Sequence, residues 1–108
     1  MTTKYEIHCG TDSPNLDPAE AEALARELAA DAFPDGHSVR VEDGSWRSRI
    51  TGQIVVEKTV VITWLCCDAD KFSGLAHRTV NRLAGRFKDQ AQQEAVMVTT
   101  QEVYSTLV

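Results

Sequence analysis

The sequence predicts an α+β fold in which strands and helices follow one another in the order β-α-β-β-α-β. Three observations lead to this prediction. Apolar and polar residues alternate over residues 4–9, as they do in a strand with one buried face. Apolar residues recur at helical spacing over residues 21–32 and again over residues 72–87. The run Val60-Val-Ile-Thr-Trp-Leu65 is apolar on both faces, which is typical of a central strand.

The first strand and the first helix are marked by clear local signals. Tyr5, Ile7 and Cys9 share one face of the strand over residues 4–9. Asp17 is the predicted N-cap of the helix, Pro18 takes the first helical position, and Glu20 completes a capping box. The predicted buried stripe has the spacing i, i+3, i+4 and consists of Ala21, Leu24, Ala25, Leu28 and Ala32. The turn residues Pro34-Asp35-Gly36 end the helix.

A hairpin follows the first helix. Residues 37–42 alternate again and predict the second strand, and Asp43-Gly44 predicts a bulge or bend before Trp46. Residues 49–53 contain Gly52 and form the predicted hairpin tip. The third strand is predicted over residues 54–67 and is the longest of the four.

The second helix and the last strand complete the pattern. Either Asp68 or Asp70 is the predicted N-cap of the helix. One arc of this helix holds its apolar residues, which are Phe72, Ala76, Val80, Leu83, Ala84 and Phe87. The final strand begins at residues 95–98 and is expected to continue after a kink to Tyr104.

This order of elements predicts a ferredoxin-like fold, with a four-stranded antiparallel sheet and both helices on one face. Right-handed crossovers make the first and third strands central. The other sheet face then carries Val61 and Leu65, or else Val60, Ile62 and Trp64, depending on the register. Because a contiguous exposed apolar patch is uncommon on a monomer, we expect a homo-oligomer that packs through this open face.

Size and composition limit the class of protein. The 108 residues are long enough for a single domain, residues 1–108, with 43% apolar and 25% charged residues. No apolar run approaches the ~20 residues that cross a bilayer, and residues 1–7 lack a secretory signal pattern. The three cysteines do not form a disulfide framework. These features favour a cytoplasmic protein without membrane contact.

The charge is distributed unevenly along the chain. The net charge of −5 argues against bulk nucleic-acid binding, which needs a basic surface. Residues 12–35 hold seven acidic residues against Arg26 alone, a local charge of −6. Residues 70–88 hold five basic residues against Asp70, a local charge of +4. The first helix is therefore acidic and the second is basic.

Trp46 and its neighbours form the first candidate ligand site. A tryptophan in an edge strand most often closes a core. A bulge at Asp43-Gly44 could instead bring Trp46 to one rim with Arg47 or Arg49. There the indole could stack on a base while an arginine binds a phosphate.

Arg78, Arg82 and Arg86 form the second candidate, an arginine stripe with i, i+4 spacing on the basic helix. The stripe can pair with the acidic first helix, or it can bind an anion through bidentate contacts.

Glu57-Lys58 interrupts the apolar third strand, and the two side chains point to opposite faces. Lys58 joins the predicted anion-binding residues. Which of the two charges faces the open side depends on where the bulge lies.

The sequence offers no support for a metal site or a nucleophile. His8, His37 and His77 lack ligand spacing, and Cys66-Cys67 should point to opposite sides of a strand. Phosphate-binding glycine loops and the common hydrolase motifs are missing from the sequence. No cofactor and no catalytic residue is predicted.

Three turn-rich motifs resemble an uncharacterised family of small bacterial and phage proteins. They are Phe33-Pro-Asp-Gly36, Gly44-x-Trp46 and Gly52-x-Ile54-x-x-Glu57-Lys58, with Gln93-Glu94 before the last strand. The resemblance spans roughly residues 5–98 and implies the same fold. The arginine stripe and the Cys66-Cys67 pair depart from the family pattern. Small phage proteins of this size often act by binding host molecules. Applying this to the present chain is an analogy that is based on fold and size.

Three functions follow as hypotheses. The first is a non-enzymatic oligomer that sequesters an anionic small molecule, such as a cyclic nucleotide immune signal, as phage anti-defence proteins do. It predicts a pocket lined by Trp and Arg. The second is a protein-binding inhibitor or adaptor that uses the acidic helix, and it predicts a flat acidic face. The third is a cofactor-independent enzyme of the dimeric α+β barrel kind, and it predicts an enclosed cavity between helices and sheet.

Overall fold

The structure, a computed structural model, describes residues 2–67, 69–106 and 108, and for residues 69–73 the backbone alone. Its elements are β1 (Thr2–Gly10), α1 (Pro18–Ala32), β2 (Ser38–Arg47), β3 (Ile54–Cys66), α2 (Ala69–Gln90) and β4 (Met97–Val103). The four strands form one antiparallel sheet in the order β2-β3-β1-β4. The predicted ferredoxin-like fold is confirmed, with β1 and β3 in the centre.

The register of β1 against β3 decides which residues meet the helices. Ile7 lies opposite Ile62, so Val60, Ile62 and Trp64 share a face with Tyr5, Ile7 and Cys9. These β1 and β3 residues form the core with the apolar faces of both helices. On α1 the buried residues are Ala21, Ala25, Leu28 and Ala29, and on α2 they include Ala76, Val80, Leu83 and Phe87. Both helices therefore cover the same face of the sheet.

The start of α1 has the predicted capping box. Asp17 Oδ1 accepts a hydrogen bond of 2.8 Å from the Glu20 backbone N–H, and Glu20 Oε1 accepts one of 3.1 Å from the Asp17 N–H. Pro18 occupies the first turn. For α2, the predicted N-cap Asp68 and the side chains of Asp70 and Phe72 lie outside the described residues.

The predicted bulge at Asp43-Gly44 is wrong. The β2–β3 pairing runs without interruption from Ser38↔Thr63 to Arg47↔Ile54. The glycine instead allows close packing, because a Cβ on Gly44 would lie 2.6 Å from Thr59 Oγ1. Since the strand stays regular, Trp46 and Arg47 point to opposite faces.

The end of the β2–β3 hairpin extends beyond the rest of the sheet. The β1–β3 pairing stops at Gly10↔Thr59, whereas β2 and β3 remain paired as far as Arg47↔Ile54. At the tip, Gly52 has a positive φ of 74°, and its N–H donates to the Ser48 carbonyl at 2.9 Å. Glu94, in the segment before β4, accepts a hydrogen bond of 2.6 Å from Ser48 Oγ. This contact fixes the hairpin arm, residues 45–56, over one end of the sheet.

The open face of the sheet is more polar than the sequence predicted. Val61 lies on this face but is fully buried, whereas Leu65 is half exposed. The reason is Arg40, whose guanidinium reaches from β2 across β3 to Glu6 on β1 at 2.8 Å and also pairs with Glu42 at 3.2 Å. The expected apolar patch at Val61 is therefore covered within the chain itself. No described helix is long and apolar enough to cross a membrane.

Replacing Asp17 with Ala tests the capping box. We expect the free energy of unfolding to fall by about 1 kcal/mol, because the Glu20 N–H loses its acceptor. Urea unfolding followed by circular dichroism measures the change. Glu27→Ala, on an exposed site of the same helix, is the control and should stay within ~0.5 kcal/mol of the parent protein. Equal losses in both variants would contradict a specific capping role.

The Arg40–Glu6 pair predicts a pH dependence of stability. The hydrogen bond from Arg40 lowers the pKa of Glu6 from its ordinary value of 4.5. A group with a lowered folded pKa stabilises the fold above its unfolded pKa, and this contribution is lost as pH falls through the folded value. Because Arg40 is half exposed, the contribution should be at most about 1 kcal/mol.

Glu6→Gln should accordingly reduce stability at pH 7 and make it less dependent on pH below 4.5. Glu102→Gln, on an exposed position of β4, is the matched control. Thermal melts between pH 3 and pH 7 compare the two variants. If the melting temperature of Glu6→Gln falls at low pH as steeply as that of the parent protein, the pair does not stabilise the fold.

Candidate active site

A cavity of about 250 Å³ lies on the open face of the sheet, below the hairpin arm. Its polar lining residues are His8, Glu42, Ser45, Glu57, Thr59 and Gln93. The remaining walls are Gly10, Gly44, Trp46, Ala95 and Met97. We call this cavity the Trp46–Glu57 cleft. Its volume is close to the lower end of the range for small-molecule sites, about 300–1,000 Å³.

Glu57 is held in one orientation by two N–H donors. Trp46 Nε1 donates to Glu57 Oε1 at 2.8 Å, and the Asp12 backbone N–H donates to Glu57 Oε2 at 2.7 Å. The loop that contains Asp12 is itself tied to β3, because the Thr11 N–H donates to the Lys58 carbonyl at 3.1 Å. A half-buried carboxylate is therefore fixed by β2, β3 and the loop after β1. Such fixed groups are suited to bind a cation or a hydrogen-bond donor.

Glycine at position 10 leaves the room that Glu57 occupies. A Cβ on Gly10 would overlap the Glu57 carboxylate. Gly10 is the last residue of β1 and is paired with Thr59. Any larger residue there would displace the carboxylate from its two donors. The position of the Glu57 carboxylate thus depends on Gly10 having no side chain as well as on the two N–H donors.

Gln93 and Glu94 form the far side of the cleft. Gln93 is buried, and its Nε2 donates to the Asp12 carbonyl at 2.8 Å. Glu94 accepts from Ser48 Oγ and, at 3.2 Å, from the Arg49 backbone N–H. These two residues join the segment before β4 to the β1–α1 loop and to the hairpin tip. They position the walls of the cleft.

Of the seven predicted ligand-binding residues, Trp46 lines the cleft and the other six lie elsewhere. Arg47 is exposed, and its guanidinium donates to the Gly52 carbonyl at 2.6 Å. Arg49 is exposed and contributes its backbone N–H to Glu94. Lys58 pairs with Asp43 on the side of β3 away from Glu57. The predicted cluster of Trp46 with basic side chains is therefore not formed within the described chain.

The arginine stripe lies on the outer side of the helical layer. Arg86 donates to Asp31 Oδ2 of α1 at 3.1 Å, which is the pairing with the acidic helix that the sequence allowed. Arg82 and Arg86 line a separate cleft of about 240 Å³ between the two helices. Arg78 is exposed. The stripe and the Trp46–Glu57 cleft are on opposite sides of the sheet.

The sequence-based search missed Glu57, His8, Gly10 and Gln93 as site residues. Glu57 carried a usable signal, since a carboxylate in an otherwise apolar central strand needs a partner or a ligand. His8 and Gly10 carried none, because only the register of β1 against β3 places them in the same cleft as Glu57. Among the side chains of residues 2–67 and 74–106, no three His, Cys, Asp or Glu lie together as metal ligands would.

The comparisons with known proteins agree with this architecture. A family model described as a protein of unknown function, DUF3574, matches residues 4–106. The chain belongs to the DUF3574 family. This confirms the resemblance to an uncharacterised family, although the particular motifs are not tested by it. No protein with a curated description matches the sequence.

Two solved structures of phage proteins share the fold. A phage SAM lyase in complex with S-methyl-5'-thioadenosine superposes with a TM-score of 0.72 and is 20% identical, over 94% of this chain and 81% of the other. A phage SAM lyase in the apo state gives a TM-score of 0.66 and 21% identity, over 92% and 78%. At this level of identity, the likeness shows the fold.

The prediction of a non-enzymatic protein that sequesters a nucleotide signal is wrong. The solved proteins that share the fold are named as a lyase, which is an enzyme, and neither name mentions sequestration. The cleft itself gives a physical reason, because its eleven lining residues include Glu42 and Glu57 but no Lys or Arg. A phosphate would find no cationic partner there.

A double-mutant cycle tests the contact between Trp46 and Glu57. Trp46→Phe keeps an aromatic ring but removes the N–H donor, so we expect a loss of about 1–2 kcal/mol in the free energy of unfolding. Glu57→Gln alters the other partner. The two changes should be non-additive by at least ~0.5 kcal/mol, since Trp46→Phe removes the hydrogen bond that Glu57→Gln weakens by replacing a charged acceptor with a neutral amide oxygen. Additive losses in urea titrations would contradict a direct contact.

Proposed function

We propose that this protein is a lyase that cleaves S-adenosylmethionine, with the Trp46–Glu57 cleft as its substrate site. The observation that carries the proposal is the fixed carboxylate of Glu57, held by two N–H donors in a cleft of this fold. A phage SAM lyase of similar fold, in complex with S-methyl-5'-thioadenosine, supports the class of substrate.

Charge complementarity favours a cationic substrate. S-adenosylmethionine has a sulfonium, an ammonium and one carboxylate, and therefore carries one net positive charge. The cleft is lined by Glu57, by Glu42, which already pairs with Arg40, and by no basic side chain other than His8, so the charge available to a substrate is that of Glu57. The Trp46 N–H is already donated to Glu57, so the face of the indole is the part left for a ligand. An aromatic face attracts a sulfur or nitrogen cation by about 0.5–2 kcal/mol.

The reaction can proceed without a proton-transfer residue. A lyase that releases methylthioadenosine breaks the bond between the sulfonium and the four-carbon amino acid group. The electron pair of that bond stays on sulfur, and the carboxylate of the same group can close on the freed carbon to give a lactone. Atoms and charge then balance with no added water and no proton transfer. The cleft needs only to bind, orient and shield the substrate, which is the source of large rate gains in intramolecular reactions.

The role we propose for Glu57 is to bind and orient the cationic part of the substrate. The ammonium keeps its charge throughout the reaction, so a carboxylate paired with it stabilises the ground state and the transition state alike. Uniform binding of this kind acts mainly on KM. Glu57 would thus be a binding residue.

Incubation with S-adenosylmethionine tests the proposal, with methylthioadenosine measured by liquid chromatography. We expect the parent protein to release methylthioadenosine faster than the spontaneous reaction. Glu57→Gln should lower kcat/KM by ~10-fold or more, since the pair that is lost is charge-assisted. Gly10→Ala should have a similar effect, because its methyl group would displace the Glu57 carboxylate.

Two control variants separate this site from the rest of the molecule. Gly85→Ala adds a methyl group that meets nothing within 4 Å, and Arg82→Ala changes the cleft between the helices. Both should keep the parent activity. The absence of methylthioadenosine formation by the parent protein would refute the proposal, and equal losses in all four variants would refute the assigned site.

The predicted oligomer through the open face remains a prediction. The cleft lies on that same face, and its small volume would leave part of a substrate of this size uncovered in one chain. A second copy on the open face would cover that part. Leu65 and Met97, which are 50% and 63% exposed and lie on this face, would supply apolar contact area.

A further inference from the structure

A further cavity, at the opposite end of β3 from Glu57, is lined by two adjacent cysteines. It measures about 400 Å³ and is lined by Cys66 and Cys67. The other described walls are mostly apolar and consist of Ala32, Trp64, Leu65, Leu75, Ala76 and Thr79. The sequence predicted that the two cysteines would point to opposite sides of a strand. The strand ends at Cys66, so Cys67 is not bound by the alternation of the strand, and both residues line the same cavity.

The three cysteines differ in accessibility. Cys67 is exposed, Cys66 is half buried and Cys9 is fully buried. Burial raises the pKa of Cys9 to about 12, so this thiol stays protonated and unreactive at neutral pH. Cys66 and Cys67 therefore form a pair that reagents can reach, and Cys9 provides an internal reference.

The spacing of the pair disfavours an ordinary disulfide. Adjacent Cα atoms are about 3.8 Å apart across a trans peptide, and disulfides usually need about 4.4–6.8 Å. A single larger atom that bonds to both sulfurs relaxes this distance constraint. It enlarges the ring that the two side chains close with the peptide bond between them, and it holds the two sulfurs farther apart than a direct S–S bond does. Soft thiolate ligands prefer soft, thiophilic centres.

We propose that Cys66 and Cys67 form a dithiol site for a soft, thiophilic centre of the trivalent arsenic type, with the apolar cavity receiving an organic substituent on that centre. Leu65 and Leu75, each at least half exposed, lie at this cavity and provide apolar surface that nothing in the described chain covers. Trp64 forms part of the wall and stacks on Phe33 at 4.5 Å between ring centroids. A ring entering the cavity would extend this aromatic cluster.

The binding step balances without a change of oxidation state. With phenylarsine oxide as the probe, two S–H bonds and the arsenic–oxygen bond break. Two arsenic–sulfur bonds form, and the oxygen leaves as one molecule of water. Arsenic remains trivalent, so neither an oxidant nor a reductant is needed.

This site is independent of the proposed lyase activity. Cys66 lies nine positions after Glu57 along β3, which is a distance of about 30 Å in an extended strand. The two side chains also lie on opposite faces of the sheet by register. Failure of one proposal therefore leaves the other unaffected.

Thiol counting with a chromogenic disulfide, 5,5′-dithiobis(2-nitrobenzoate), tests the site on the full chain. We expect two reactive thiols in the native protein and three in denaturant. One equivalent of phenylarsine oxide, followed by gel filtration, should protect both native thiols, and intact mass spectrometry should show one phenylarsenic group per chain. Cys66→Ser and Cys67→Ser each leave one accessible thiol beside the buried Cys9, and their apparent affinity for the probe should fall at least ~100-fold because chelation is lost.

The cavity is tested separately from the thiols. Leu75→Ser should keep both thiols reactive and keep binding of arsenite, but should reduce the preference for phenylarsine oxide over arsenite. The proposal is overturned if one equivalent of the probe leaves both native thiols reactive, or if either serine variant binds it as tightly as the parent. Circular dichroism of each variant confirms that the fold is intact, and Cys67→Ser changes an exposed position, so it should fold.

Discussion

The register of β1 against β3 is the constraint on which the rest of this structure depends. Ile7 opposite Ile62 places every apolar residue of β1 on the side of the helices and sends His8, Gly10, Glu57 and Thr59 to the other side. A shift of β3 by one residue against β1 would exchange the two faces of β3, because side chains alternate along a strand. The core would then contain Glu57, and the cleft would contain Ile62. The same pairing that stabilises the core thus also assembles the candidate site.

Residues that are close in sequence are separated in this fold, and that explains why the predicted cluster of Trp46 with basic side chains does not form. Trp46 is followed by Arg47, but a regular strand points them to opposite faces. The partner of the indole is Glu57, eleven positions later on the neighbouring strand. Because β2 has no bulge, Arg47 donates a hydrogen bond to the hairpin tip, and Lys58 pairs with Asp43. In the described structure, Arg47 and Lys58 thus contact the hairpin and its strands, and neither lines the cleft.

Local signals in the sequence were sufficient for the fold. The capping box at Asp17 and Glu20, the alternation of Tyr5, Ile7 and Cys9, and the apolar run of β3 each depend on short-range chemistry that the sequence displays. The candidate site depends on contacts between residues far apart in sequence, such as Asp12 with Glu57 and Ser48 with Glu94. Glycines 10 and 44 show the limit most clearly. A sequence does not reveal which side chain needs the space that a glycine leaves open, and only the pairing of three strands assigns Gly10 to Glu57 and Gly44 to Thr59.

The Trp46–Glu57 cleft also lowers the free energy of unfolding, and this strengthens its assignment as a candidate functional site. A half-buried carboxylate loses hydration, a strand-end glycine gains no packing, and the hairpin arm must be ordered beyond the sheet. An apolar side chain at position 57 would avoid the first of these costs. The described chain instead uses Trp46, Asp12 and Gly10 to keep the carboxylate in one place. Arrangements that sacrifice stability while fixing a polar group are concentrated at sites of binding and catalysis. The arginine stripe differs in this respect, because its exposed side chains cost little and one of them simply pairs with the neighbouring acidic helix.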